Sequence, residues 1–200
     1  MTFTLSEIAN RIAQLEGRDA ARVHAQLRNP AIRVLLKPID KDRGKTTAVM
    51  FPREELIRAR IASVLIDIGH DAATIAEALS PLDREIRPPY LGTTTPWPDS
   101  FATRGENGEV LGFTSPPALP AVIRGVRQGE IWELRVRFTR NHSGHRVVTS
   151  DLALGQWVRD DDDTLEKLDQ SFEHTRLAEL TIPLTPLIKP LLSELPEPEA

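Results

Sequence analysis

"DKDRGKTTAVMFPREEL", residues Asp40 to Leu56, decides how the first half of this chain is read. Its middle, Gly44-Lys45-Thr46-Thr47, has the ending of a nucleotide-binding P-loop. That motif needs a glycine, four residues and then Gly-Lys-Ser/Thr, because the loop amides must wrap the phosphates. The first glycine would fall at position 39, which is Ile39, and Pro38 beside it has no amide to offer. The residues after Lys45, "TTAVMF", favour a strand and run into Pro52, where the motif requires a helix. The segment reads instead as a basic turn between two short apolar runs. Ile32–Leu36 precedes it and Ala48–Phe51 follows it, which predicts a hairpin. Pro52 with Glu54 and Glu55 then predicts the first turn of a helix.

Working outward, residues 1–80 are patterned for helices. Thr4 and Glu7 form a capping box, and Leu5, Ile8, Ala9 and Ile12 fall on one helical face. Gly17 ends or interrupts that element. Asp19 is placed to cap a second helix with Ala20, Val23 and Leu27 inward and Arg22 and Gln26 outward, stopped by Asn29-Pro30. Leu56, Ile57, Ile61, Val64, Leu65 and Ile68 form the stripe of a longer helix, with Arg53, Arg58 and Arg60 pointing outward. Gly69 closes it, and Asp71 caps a last short helix through Leu79.

Residues 81–120 are rich in proline, glycine and small polar residues and predict a linker or irregular segment. Residues 121–200 predict an antiparallel sheet with one or two helices. "IWELRVRF" alternates, with Trp132, Leu134, Val136 and Phe138 on one face and Glu133, Arg135 and Arg137 on the other. "HRVVTSDL" returns after a turn at Asn141–Gly144, a capping box at Asp163 and Glu166 opens a helix, and "LAELTIPL" supplies a further strand. The predicted fold class is therefore α+β.

Composition narrows the function classes. The absence of cysteine removes disulfides, thiolate zinc sites and cysteine nucleophiles. No apolar run of about 18 residues predicts a membrane span, and no signal-peptide core is present, so the expected location is cytoplasmic. His142 and His145 flank the turn read at Ser143-Gly144 with no third metal ligand indicated, and Asp160–Asp163 lacks the glycine and glutamate of a calcium loop. No G-x-S-x-G is present and no histidine is singled out by its context, so an enzyme is not expected, nor is a metal or a cofactor. The net charge is -4, yet residues 17–60 hold eleven basic against five acidic side chains. A basic block in an acidic chain points to a local anionic partner.

The order of elements in residues 1–80 resembles the DNA-binding domain of the MerR family, a winged helix-turn-helix fold. "FTLSEIANRI" resembles that family's opening helix. "LLKPIDKDRGKTTAVMFPREELIRARIASVLIDIGHDAATIAEAL" resembles its wing and its third and fourth helices. The loop "AQLEGRD" reads as longer than the family's, and its tyrosine-rich stretch and the aromatic-arginine pair of its wing have no counterpart here. Pro81, Pro88 and Pro89 interrupt the position of its long dimerising helix. The resemblance implies a transcriptional regulator that binds double-stranded DNA, as a homodimer, with a C-terminal domain for dimerisation or for a protein partner. The alternative is a winged-helix docking module that binds protein and not DNA. In the DNA reading, Arg18, Arg22 and Gln26 on the second helix face base edges, with Arg28 at its end. Lys37, Lys41, Arg43 and Lys45 of the wing reach phosphates, Thr46 donates a further hydrogen bond, and Arg58 adds one more contact.

Overall fold

The computed structural model describes residues 2–39, 48–86, 102–113, 117–154, 175–193 and 195. It is α+β, and its chain divides into two compact units: Met1–Leu79 with Pro190–Glu197, and Ser80–Lys189.

Unit 1 opens with strand β1 (Thr2–Thr4), which runs into helix α1 (Leu5–Glu16). The capping box is present: Thr4 Oγ1 accepts from Glu7 N at 3.2 Å, and the Thr4 amide donates to Glu7 Oε2 at 2.7 Å. Ile8, Ala9, Ile12 and Ala13 are buried. Gly17, at φ 64°, takes the left-handed conformation that ends α1. Only residues 17–19 separate α1 from α2 (Ala20–Arg28), so the joining loop is three residues long and not the longer one read from "AQLEGRD". Asp19 caps α2 by accepting from Ala21 N at 2.7 Å.

The next segment departs from the predicted hairpin. Residues Pro30–Arg33 form a helical turn, α3, where a strand was expected. Asn29 Oδ1 accepts from Ala31 N at 3.0 Å and Pro30 supplies a preset φ at the first position, so the local chemistry starts a helix. Strand β2 (Met50–Pro52) pairs antiparallel with β1, Phe3 opposite Phe51, and not with residues 32–36. Ile39 N donates a backbone bond to Met50 O at 2.9 Å. Pro52 belongs to β2, so the following helix α4 (Glu55–Asp67) begins three residues later than predicted. Helix α5 (Ala72–Leu79) follows, with Asp71 Oδ1 accepting from Thr74 N at 2.8 Å.

Helix α4 is the centre of unit 1 and touches α1, α2 and α5. It is buried on nearly all sides, including Arg58 and Arg60, which were expected to point outward. A helix enclosed by its neighbours has no outward face to spare.

Unit 2 contains a hairpin, β3 (Ala102–Arg104) with β4 (Val110–Phe113), and helix α6 (Ala118–Arg127). These elements fall in or begin within the segment read as linker. A three-stranded antiparallel sheet follows, β5 (Trp132–Arg140), β6 (Arg146–Leu154) and β7 (Thr175–Pro183), with β5 in the middle. Trp132, Leu134, Val136 and Phe138 are buried as the alternation predicts. Helices α6 and α7 (Leu184–Ile188) pack against β5. The turn at Asn141–Gly144 is present, with Gly144 at φ 78°. The helix expected after Asp163 lies outside the described residues.

Candidate nucleic-acid interface

The surface of α2 is set by which of its polar side chains are already engaged. Arg18, in the turn before α2, is drawn inward. Its guanidinium donates to Glu16 Oε2 at 2.9 Å, Ser63 Oγ at 2.8 Å, Gln26 Oε1 at 2.9 Å and Asp67 Oδ1 at 3.0 Å. Gln26 Nε2 also donates to Asp67 Oδ1, at 2.9 Å. Glu16 in turn accepts from Arg60 Nε at 3.1 Å. This network fastens the α1–α2 turn to the last two turns of α4. Two residues expected to face base edges, Arg18 and Gln26, are instead engaged in bonds that hold the helices together. A guanidinium with four acceptors, only 19% exposed as a side chain, is not available to a base edge.

Arg58 also departs from its expected role. It is 3% exposed and pairs with Glu55 at 3.0 Å inside α4. The second Glu55 oxygen accepts from Lys37 N at 3.0 Å, which anchors the chain entering the loop. A buried charge must be matched by a neighbouring charge or hydrogen bond, and Glu55 meets that need.

What remains outward is a continuous set. From Ala20 to Ile39 the sequence has four Lys or Arg and no Asp or Glu. Arg22, Arg28, Arg33 and Lys37 are all exposed. Arg22, Arg28 and Arg33 make no side-chain hydrogen bond or ion pair with any described residue. Arg33 was missed as a candidate because its segment was read as a strand, although Arg28, Arg33 and Lys37 stand close together in the sequence. Lys41, Arg43, Lys45 and Thr46 lie outside the described residues, as does the Gly44 turn.

Unit 2 has a second polar arrangement. On the face of β5 opposite its apolar side, Arg137 donates to Asp151 Oδ2 at 2.8 Å and Glu179 Oε2 at 3.0 Å. Burial opposes the charge of Arg137, but the two carboxylates outweigh it and raise its pKa. A cavity of about 590 Å3 is lined by Pro81, Arg84, Glu85, Ile86, Ser150 and Asp151, among others. Among the described residues no group of three or more His, Asp or Glu is placed to hold a metal ion. No described helix is long and apolar enough to cross a membrane. Comparison of the chain with protein-family models, with curated proteins and with solved structures gives no match.

Proposed function

We propose that unit 1 binds double-stranded DNA as a winged helix-turn-helix domain, in the manner of a transcriptional regulator. The observation that carries this reading is the exposed basic run of α2 and α3, a stretch from Ala20 to Ile39 that itself contains no Asp or Glu. Three arginines that pair with no described residue, and one exposed lysine, stand within 20 residues, in a protein whose net charge is -4. Elsewhere in unit 1 the described arginines Arg18, Arg58 and Arg60 are neutralised by carboxylates. Exposed cations close together in the chain raise the local concentration of a polyanion and release its counterions on contact.

In this reading α2 enters the major groove, while Arg33 and Lys37 grip phosphates of the adjoining backbone. Lys41, Arg43 and Lys45, which follow in the sequence, extend the grip. Unit 2 pairs two copies or holds a protein partner, so that two α2 helices address neighbouring half-sites.

The test is a titration of labelled duplex DNA at two salt concentrations. With five phosphates engaged, the log–log slope of affinity against salt is expected near roughly -4.5. The triple substitution R22A/R28A/R33A should weaken binding at least about tenfold and flatten that slope, with the fold intact by circular dichroism. Equal binding by the triple variant, or binding insensitive to salt, sinks the proposal in favour of a protein-docking module.

A further inference from the structure

This inference rests on the DNA reading above and concerns which bases α2 addresses. Adenine in the major groove is read by a side-chain amide, one end on N7 and the other on N6. Both amides on α2 and its cap are committed elsewhere. Gln26 accepts from Arg18 with Oε1 at 2.9 Å and donates to Asp67 with Nε2 at 2.9 Å. Asn29 uses its Oδ1 on the Ala31 amide at 3.0 Å to cap α3.

The exposed residues of α2 that remain are Ala21, Arg22, Ala25 and Arg28. By helical spacing, the methyl groups of Ala21 and Ala25 lie between Arg28 and Arg22 on the outward face. A guanidinium suits the O6 and N7 of guanine, and an alanine methyl suits the C5 methyl of thymine. Small side chains between the two arginines also let the helix backbone approach the groove floor. Six residues separate Arg22 from Arg28, about 9 Å along the axis. That is close to three base-pair steps of about 3.4 Å.

We propose that α2 selects duplexes carrying two guanines two to three base pairs apart with a thymine between them, and that it senses the thymine methyl group and not adenine. The locked Gln26 is as much a part of this selection as the free arginines, since it removes the adenine reader.

The experiment uses the full chain and a random-sequence duplex library, followed by base analogues in the selected duplex. Replacing guanine by 7-deazaguanine should weaken binding at least about fivefold, the lower end for a bidentate contact. Replacing the intervening thymine by uracil should weaken it about fourfold, the worth of one buried methylene. Replacing adenine by 7-deazaadenine should leave affinity unchanged. A loss on 7-deazaadenine without a loss on uracil overturns the inference. Salt-sensitive binding with no base dependence also overturns it, while the DNA reading stands. Absence of salt-sensitive binding to the whole library overturns the DNA reading itself. The analogues alter only the DNA, so no outcome depends on a variant protein folding.

Discussion

Arg18 shows how one side chain can hold the geometry of a surface it does not belong to. Its guanidinium joins the α1–α2 turn, α2 and α4 through Glu16, Gln26, Ser63 and Asp67. Hydrogen bonds to charged groups contribute about 1.5–3 kcal/mol each in net terms, and four acceptors sharing one donor group do not add fully. Arg18→Ala should lower the stability of unit 1 by about 2–3 kcal/mol in urea unfolding. The same variant frees Gln26 and should broaden base preference, which a Leu15→Ala change on the exposed side of α1 should not do. At Thr4 the argument concerns pH. The Thr4 amide and hydroxyl, with a smaller contribution from Arg11, hold the Glu7 carboxyl below its ordinary value of 4.5. A carboxyl whose pKa is lowered by folding stabilises the fold above its unfolded pKa and loses that contribution as pH falls through its folded pKa. Thr4→Ala should cost about 1 kcal/mol at pH 7. The difference between variant and parent should shrink on acidification below about pH 4.5, as measured by thermal unfolding. The capping box was legible in the sequence because both partners lie within four residues. The Arg18 network was not, because Ser63 and Asp67 are 45 and 49 residues away.

Among elements, α6 and β5 show the closest fit. Gly125 of α6 stands where an added Cβ would meet the Glu130 carboxylate and the Trp132 indole nitrogen. Trp132 Nε1 donates to Glu130 Oε2 at 3.0 Å, and the Trp132 ring is 1% exposed, so it cannot move aside. Gly125→Ala gains about 1 kcal/mol of helix propensity. It should still destabilise unit 2 by about 1–2 kcal/mol net, because overpacking a rigid neighbour costs more. Denaturant unfolding followed by Trp132 accessibility would read the change, and a stabilised variant would contradict the tight packing. Helix α6 is also the element that sequence reading missed. Leu119, Val122, Ile123 and Val126 have helical spacing. Pro117 and Pro120, and the proline-rich stretch before them, hid the start, although proline is tolerated in a first turn. β5 was legible because strict alternation over seven residues has one explanation.

At the scale of the whole molecule, a segment near the C-terminus belongs with the first helices. Residues Pro190–Glu197 cluster with unit 1, and within them Leu191 is 0% and Leu195 4% exposed. Removing residues 190–200 should therefore lower the stability of unit 1, which ends more than 100 residues earlier in the sequence. Leu191→Ala alone should cost about 2–5 kcal/mol, within the range for a buried leucine. Hydrogen exchange in α1–α5 would check this, and unchanged protection there would contradict it. By itself the sequence determined what depends on neighbours in the chain: the capped ends of α1, α2 and α5, the alternation of β5, the turn at Gly144 and the lack of carboxylates from Ala20 to Ile39. Only the tertiary structure decided which arginines are spent. Arg18, Arg58 and Arg60 have the same local appearance as Arg22, Arg28 and Arg33, and a guanidinium is neutralised by whatever carboxylate the fold brings within hydrogen-bonding reach. That distance is fixed by how α1, α2 and α4 pack, not by their order along the chain.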